Sequence, residues 1–236
     1  MTIKAVLFDL DGTLLPMDQE MFLKTYLHSL AKRVAPIGFE PKALVNAILV
    51  GSDAMVKNDG QNTNENVFWN KFAEIFGADV RRHEPHFDAF YREEFDNVKS
   101  VCGYNADSAK VVKKLKKMGL RLALATNPVF PSIATEKRSK WAGIDLSDFE
   151  LYTTYENSRF CKPSLPYYEE ILASMDIKPE EALMVGNDVS DDMVASKIGM
   201  KVFLLTDCLI NSRGEDVSVY PNGNFDDLMK YIESLA

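Results

Sequence analysis

The chain has 236 residues, 46% hydrophobic and 26% charged, which suits one large core, or a core with a smaller lobe, and excludes disorder as its main theme. A net charge of -8 argues against a general nucleic-acid binder, which needs a basic stripe to engage phosphates. Apolar runs such as AVLF and LALA fall far short of the roughly 20 residues of a membrane span, and no secretory leader is read at the start. Cys102, Cys161 and Cys208 are too scattered for a disulfide framework or a thiolate zinc site, so a reducing, cytoplasmic setting is expected.

The first element is VLFDLDGT at 6–13, a buried-strand pattern that ends in Asp9 and Asp11. Residues two apart in an extended chain point the same way, so two like charges are brought together at the strand tip. From about Pro16 to Ser100 the pattern is helical: FLKTYLHSLAKRV, PKALVNAILV, NENVFWNKFAEIFG and FDAFYREEF, with NDGQNTNEN as a loop. Phe68, Trp69, Phe72 and Phe76 read as helix core, and His83 and His86 lack the further ligands a metal site needs. After residue 100 helices and strands alternate. Asp107 or Ser108 caps a helix running to Gly119, with Lys113, Lys114, Lys116 and Lys117 outside and Val111, Val112, Leu115 and Met118 inside. LRLALATN is a strand and LYTTYE a second; SLPYYEEILASM is a helix with Ser164 at its N-cap. ALMVGND, the helix DDMVASKIGM closed by Gly199, the strand KVFLLTD and the helix FDDLMKYIESL follow. The alternation predicts an α/β fold, a doubly wound, mostly parallel sheet formed by 1–15 and 101–236, with an inserted α-helical domain over 16–100.

In such sheets ligands bind beyond the carboxyl ends of the strands. Every polar signature falls there: Asp9 and Asp11 after the first strand, Thr126 and Asn127 after the second, Lys162 after LYTTYE, and Asp188, Asp191 and Asp192 after ALMVG. Carboxylates held together raise one another's pKa unless a hard cation offsets them; Mg2+, which accepts a few carboxylates, a carbonyl and waters, suits the cluster. Such a cation also lets an anionic Asp approach a phosphoryl group. Gly12 permits close backbone approach and Thr13 is expected to satisfy turn amides. Asp191 reads as a helix N-terminal acid, and Cys161 as a passive thiol.

DLDGT at 9–13, ATN at 125–127, KPSLPYY at 162–168 and GNDVSDD at 186–192 together resemble the four ordered motifs of the haloacid dehalogenase superfamily. The resemblance spans the core, which it makes Rossmann-like, and the helical insert is similar to the cap many members carry after the first strand. It implies that Asp9 is the nucleophile forming an aspartyl-phosphate and a Mg2+ ligand, and that Asp11 is the general acid and base, its backbone carbonyl a metal ligand. Thr126 and Asn127 match the phosphate-positioning pair, and Lys162 the lysine that orients the nucleophile. Asp188 matches the acidic metal ligand, with Asp192 holding a metal-bound water. GND stands where many relatives have GD, so Asn187 is the alternative leading position. Asp11 sets the chain apart from the dehalogenases themselves, which lack that acid. The expected activity is hydrolysis of a small phosphorylated metabolite; a sugar phosphomutase and a catalytically silent phosphate-binding protein are the alternatives. Lys24, Arg33, Lys57, Arg81 and Arg92 are cations that a second anionic group of the substrate could meet.

Overall fold

The computed structural model describes residues 3–235; positions 1, 2 and 236, the outer ends of the segments assigned to the core, lie outside the described residues. Among the described residues six strands form one sheet: β1 (Ala5–Phe8), β2 (Arg121–Leu124), β3 (Leu151–Tyr152), β4 (Ala182–Gly186), β5 (Lys201–Leu205) and β6 (Asn222–Gly223). Their order is β3-β2-β1-β4-β5-β6 and all neighbours run parallel, with Val6 level with Leu122 on one side and Leu183 on the other. All four residues of β1 are fully buried, which is why AVLF is an unbroken apolar run.

Alternate strand residues feed two cores. Val6, Phe8, Leu122, Leu124 and Val185 pack beneath α5 (Ala106–Lys117) and α8 (Phe225–Ser234), whereas Ala5, Leu7, Ala123 and Met184 face α7 (Leu165–Ser174). The chain leaves β1 for β2 on one side and reaches β4 on the other, so strand order reverses at β1. The crevice of an open parallel sheet opens at such a point.

Between β1 and α5 the chain forms α1 (Gln19–Val34), α2 (Pro41–Val56), α3 (Asn64–Phe76) and α4 (Glu84–Glu93), then a 3-10 stretch over Phe95–Val101. Asp18 caps α1 by accepting from the Met21 amide, and Thr63 caps α3 by accepting from that of Asn66. Trp69 and Phe72 are buried against Phe87, as their helical spacing implies. The two crossings between insert and sheet lie side by side: Met17 bridges Cys102, and the Gly103 amide donates to Pro16 O at 2.7 Å. The start of α3 is seated on the loops before Lys162 and after β2, where the Asn64 amide donates to Ser158 O (2.9 Å) and its side chain to Phe160 O and Pro128 O (3.3 Å each).

Several local expectations change. Asn105, not Asp107 or Ser108, caps α5, because its side chain accepts from the Asp107 amide while Ser108 Oγ is buried and donates to Leu14 O. Met118 is half exposed rather than inside. LYTTYE pairs over two residues only, since the Thr153 hydroxyl is drawn inward to Thr126 O. DDMVASKIGM forms a 3-10 segment over Met193–Ile198, not an α-helix, and Gly199 closes it in the left-handed region. Ser164 takes the N-cap position of α7 without a side-chain cap bond. α6 (Ser132–Trp141) and β6 are elements the sequence pattern did not reveal. Among the described residues no helix is long and apolar enough to cross a membrane.

Candidate active site

Asp9 continues β1 by one residue, its amide donating to Val185 O at 2.9 Å, and this ladder bond fixes where its side chain begins. Asp9 Oδ1 accepts from Lys162 Nζ at 2.8 Å. The Thr13 hydroxyl stands 3.0 Å from Asp9 Oδ2 and 2.9 Å from Asn187 Oδ1, and its one hydrogen serves either oxygen. Thr13 therefore orients the Asp9 carboxylate rather than capping turn amides.

Lys162 is 2% exposed, and its ammonium also donates to Asp192 Oδ1 at 2.6 Å. Burial alone would lower its pKa, but Asp192 and Asp9 outweigh it and hold the lysine well above its usual value. Asp192 spends its other oxygen on the Asp188 amide at 2.9 Å. Burial raises the Asp192 pKa, and the Lys162 charge opposes that rise. Gly186 makes this arrangement possible, since a Cβ there would lie 2.0 Å from Asp192 Oδ2.

Asp11 meets a partner absent from the sequence reading. Its Oδ2 accepts from the guanidinium of Arg138, which rises from α6 and is completely buried. Arg138 also lies 4.5 Å over the Phe130 ring and donates from Nε to Ala134 O. Burial raises the Asp11 pKa; Arg138 opposes the rise and the Asp9 charge adds to it. Asp11 Oδ1 is buried and has no hydrogen-bond partner.

β2 delivers Thr126 and Asn127. The Thr126 carbonyl accepts from Thr153 Oγ1 (2.6 Å) and the Tyr167 hydroxyl (2.9 Å), which anchors the loop, while Asn127 Oδ1 is buried without a partner. After β4, Asn187 is 1% exposed and spends its amide on Cys208 O and the Thr13 hydroxyl. Asp188 is only half-buried and uses Oδ1 to accept from the Ser190 and Asp191 amides. Of the two neighbours, Asp188 is the acid available to a ligand.

These groups line one cleft of about 450 Å³: Asp9, Asp11, Thr126, Asn127, Lys162, Asn187, Asp188, Asp191 and Asp192 from the sheet rim, and Phe22 and Leu23 from the insert. Asp191 belongs to this wall and not to a helix start; burial and the Asp188 charge push its pKa up to about 6, against the lowering that a helix N-terminus gives. Cys161 is buried, its thiol pushed up to about 12 chiefly by burial, as expected of a passive cysteine.

Among the described residues no three His, Cys, Asp or Glu side chains are gathered as a ready metal cage. Asp192, expected to hold a metal-bound water rather than the metal itself, is bonded to Lys162 Nζ and to the Asp188 amide. The remaining donors are the Asp9 and Asp188 carboxylates and the Asp11 backbone carbonyl. That set fits Mg2+, which is held by one or two carboxylates and keeps several waters.

Residues 3–199 match the haloacid dehalogenase-like hydrolase family. The chain belongs to the haloacid dehalogenase-like hydrolases. Among curated proteins it is 26% identical to pyrophosphatase PpaX of Bacillus cereus over 85% of this chain and 82% of that protein. Among solved structures, 2-haloacid dehalogenase from Pseudomonas syringae pv. Tomato superposes with a TM-score of 0.64 at 19% identity, over 100% of both chains. YfnB of Bacillus subtilis, in a structure bound to magnesium, does so with a TM-score of 0.56 at 16% identity, covering 98% of this chain and 99% of that one. The two structural likenesses establish the fold.

In this haloacid dehalogenase-like hydrolase the four motif loops meet as the sequence implied, and Arg138 is the residue the motifs missed. Its one sequence signal is an arginine in SIATEKRSKW, a segment whose buried positions include Thr135, Arg138 and Ser139. Lys24 and Arg81, in contrast, are exposed and do not reach the cleft.

Proposed function

We propose that the chain is a Mg2+-dependent phosphatase that hydrolyses a small phosphate monoester through a phosphorylated Asp9. The observation that carries this reading is the buried Lys162 ammonium bridging Asp9 and Asp192, at 2.8 and 2.6 Å, at the floor of a cleft whose rim holds Asp11 and Asp188. A lysine so held aims the Asp9 carboxylate and sets a fixed cation beside it, and a carboxylate so placed is suited to attack phosphorus. Mg2+, held by Asp9, Asp188 and the Asp11 carbonyl, would neutralise phosphoryl oxygens and so reduce the repulsion between an anionic nucleophile and an anionic ester.

In the first step an Asp9 oxygen forms a bond to phosphorus as the ester P–O bond breaks, and Asp11, as a carboxylic acid, gives its proton to the departing oxygen. In the second, Asp11, now a carboxylate, takes a proton from water as that water attacks phosphorus and the bond to Asp9 breaks, releasing phosphate. The upward shift of Asp11 suits the acid role. Thr126 and Asn127 would bind the phosphoryl oxygens from the β2 side. We assign phosphoryl transfer to residues 1–15 and 101–236, and choice of leaving group and exclusion of water to the helical cap over 16–100.

Purified protein assayed for phosphate release from a panel of monoesters should turn over with Mg2+, turn over poorly with Ca2+, and stop when excess chelator is added. Undiminished turnover in chelator would remove the metal from this account. Release from no member of the panel would remove the phosphatase.

A further inference from the structure

A second cavity, of about 200 Å³, adjoins the cleft between the helical insert and the loop after β2, and the two share Leu23, Val129 and Phe130 as walls. Leu30, Ile48, Phe68, Trp69 and Phe87 make it apolar. Leu23 and Leu49, which line it, are 41% and 47% exposed, large apolar side chains that the fold leaves partly open to solvent. The Tyr26 and Tyr91 hydroxyls are paired with each other at 2.7 Å. The Trp69 indole N–H, by contrast, is buried in the wall without a well-formed hydrogen bond, although it stands close enough to the Tyr155 hydroxyl to oppose the burial-driven rise of that phenol's pKa.

Charge points the same way. Among the described residues lining the cleft, Lys162 is the one cation, and it is spent on Asp9 and Asp192; the insert adds Met17, Gln19, Glu20, Phe22 and Leu23. The polar residues around the second cavity, Ser52 and Asp88 with the tyrosines, add no positive charge. A leaving group with its own negative charge would lose its hydration there and meet no compensating cation.

We propose that this cavity binds the leaving group, and that the substrates are monophosphate esters of uncharged alcohols bearing a flat apolar ring with a hydrogen-bond acceptor for Trp69. The inference rests on the phosphatase reading of the adjoining cleft. It places the cleft over the phosphate and the cavity over the ring, with Leu23, Val129 and Phe130 as the passage between. Inorganic pyrophosphate, whose leaving group is a second phosphate, is a poor fit to these walls, although relatives 26% identical are named pyrophosphatases.

The test compares kcat/KM for benzyl phosphate, 3- and 4-pyridylmethyl phosphate, methyl phosphate, glycerol phosphate and pyrophosphate, with acetyl phosphate as a small activated control. The alkyl esters have leaving oxygens of similar basicity, so differences report binding of the group behind them. Benzyl phosphate should exceed methyl phosphate by about 100-fold, the scale of a filled apolar pocket. One pyridylmethyl ester should exceed benzyl phosphate, and Trp69→Phe should narrow that ratio by about 3- to 10-fold, the worth of one neutral hydrogen bond. Leu49→Arg, at an exposed edge position that tolerates charge, should shift preference from benzyl toward glycerol phosphate and pyrophosphate. Pyrophosphate or glycerol phosphate turned over as well as benzyl phosphate by the parent protein overturns this inference and leaves the phosphatase standing. No release from any compound, acetyl phosphate included, overturns both.

Discussion

Replacing Arg138 with Met removes the cation bonded to Asp11 and keeps an apolar side chain of similar length in its place. The guanidinium is completely buried, and the Asp11 side chain keeps only 20% exposure to the cleft. Breaking a buried ion pair by deleting one partner costs about 3–5 kcal/mol. Because Asp11 retains that contact with cleft water, we take the low end, about 3 kcal/mol, which corresponds to a fall of about 1 M or more in the urea midpoint. The loss should depend on pH. The folded-state pKa of Asp11 is already raised by burial and rises further without Arg138. A carboxyl that binds its proton more tightly when folded makes stability fall as pH rises above the unfolded-state pKa, so the variant's deficit is full at pH 8 and narrows toward pH 4. In the parent, protonating Asp11 also strands the arginine, which narrows the gap from the other side. Asp11→Asn alone should cost a similar amount, since the guanidinium cannot discharge, and the double variant should recover much of the loss. Urea denaturation of all four proteins, in chelator at pH 8 and pH 4.5, gives the coupling energy directly. A coupling below about 0.5 kcal/mol, or deficits equal at both pH values, would refute the reasoning.

Two further outcomes are expected. Asp191→Asn should stabilise the metal-free protein by up to about 2 kcal/mol at pH 8 and by nothing below pH 4: the parent's pKa near 6 lies above the unfolded value, so ionising Asp191 above pH 6 costs folding free energy that the amide avoids; equal urea midpoints at pH 8 would contradict this. Gly186→Ala should cost about 1–3 kcal/mol and most of the activity, because a Cβ there displaces the Asp192 carboxylate that holds Lys162; parental activity in a folded Gly186→Ala protein would show that Asp192 does not position the lysine.

The motif loops were legible because each is a short contiguous run at the end of an apolar strand, and strand ends of a parallel sheet share one rim. Asp9, Thr126, Lys162 and Asp188 could thus be brought together without knowledge of packing. Arg138 could not, because its partner Asp11 is 127 residues away and α6 buries Thr135 and Ser139 beside it, leaving no apolar stripe to read. β6 pairs through two residues, Asn222 and Gly223, neither of which favours a strand. LYTTYE has strand composition, yet Thr153 serves the loop after β2 instead of extending the edge. The roles of neighbouring acids were also hidden. Only the packed structure shows that Asp192 is bonded to Lys162 and the Asp188 amide and that Asp191 lines the cleft beside it.

Asp9 is the proposed acceptor of phosphorus, and every other assigned role depends on it. Its direct test is to mix the Asp11→Asn protein with Mg2+ and acetyl phosphate, whose leaving group needs little protonation, quench in acid within seconds, and map the added phosphate by mass spectrometry of peptides. The variant should accumulate one phosphate, on Asp9, because the first step survives while the attack by water lacks its base; the Asp9→Asn protein should gain none. Phosphate found on another residue, or on the Asp9→Asn protein, would contradict the mechanism.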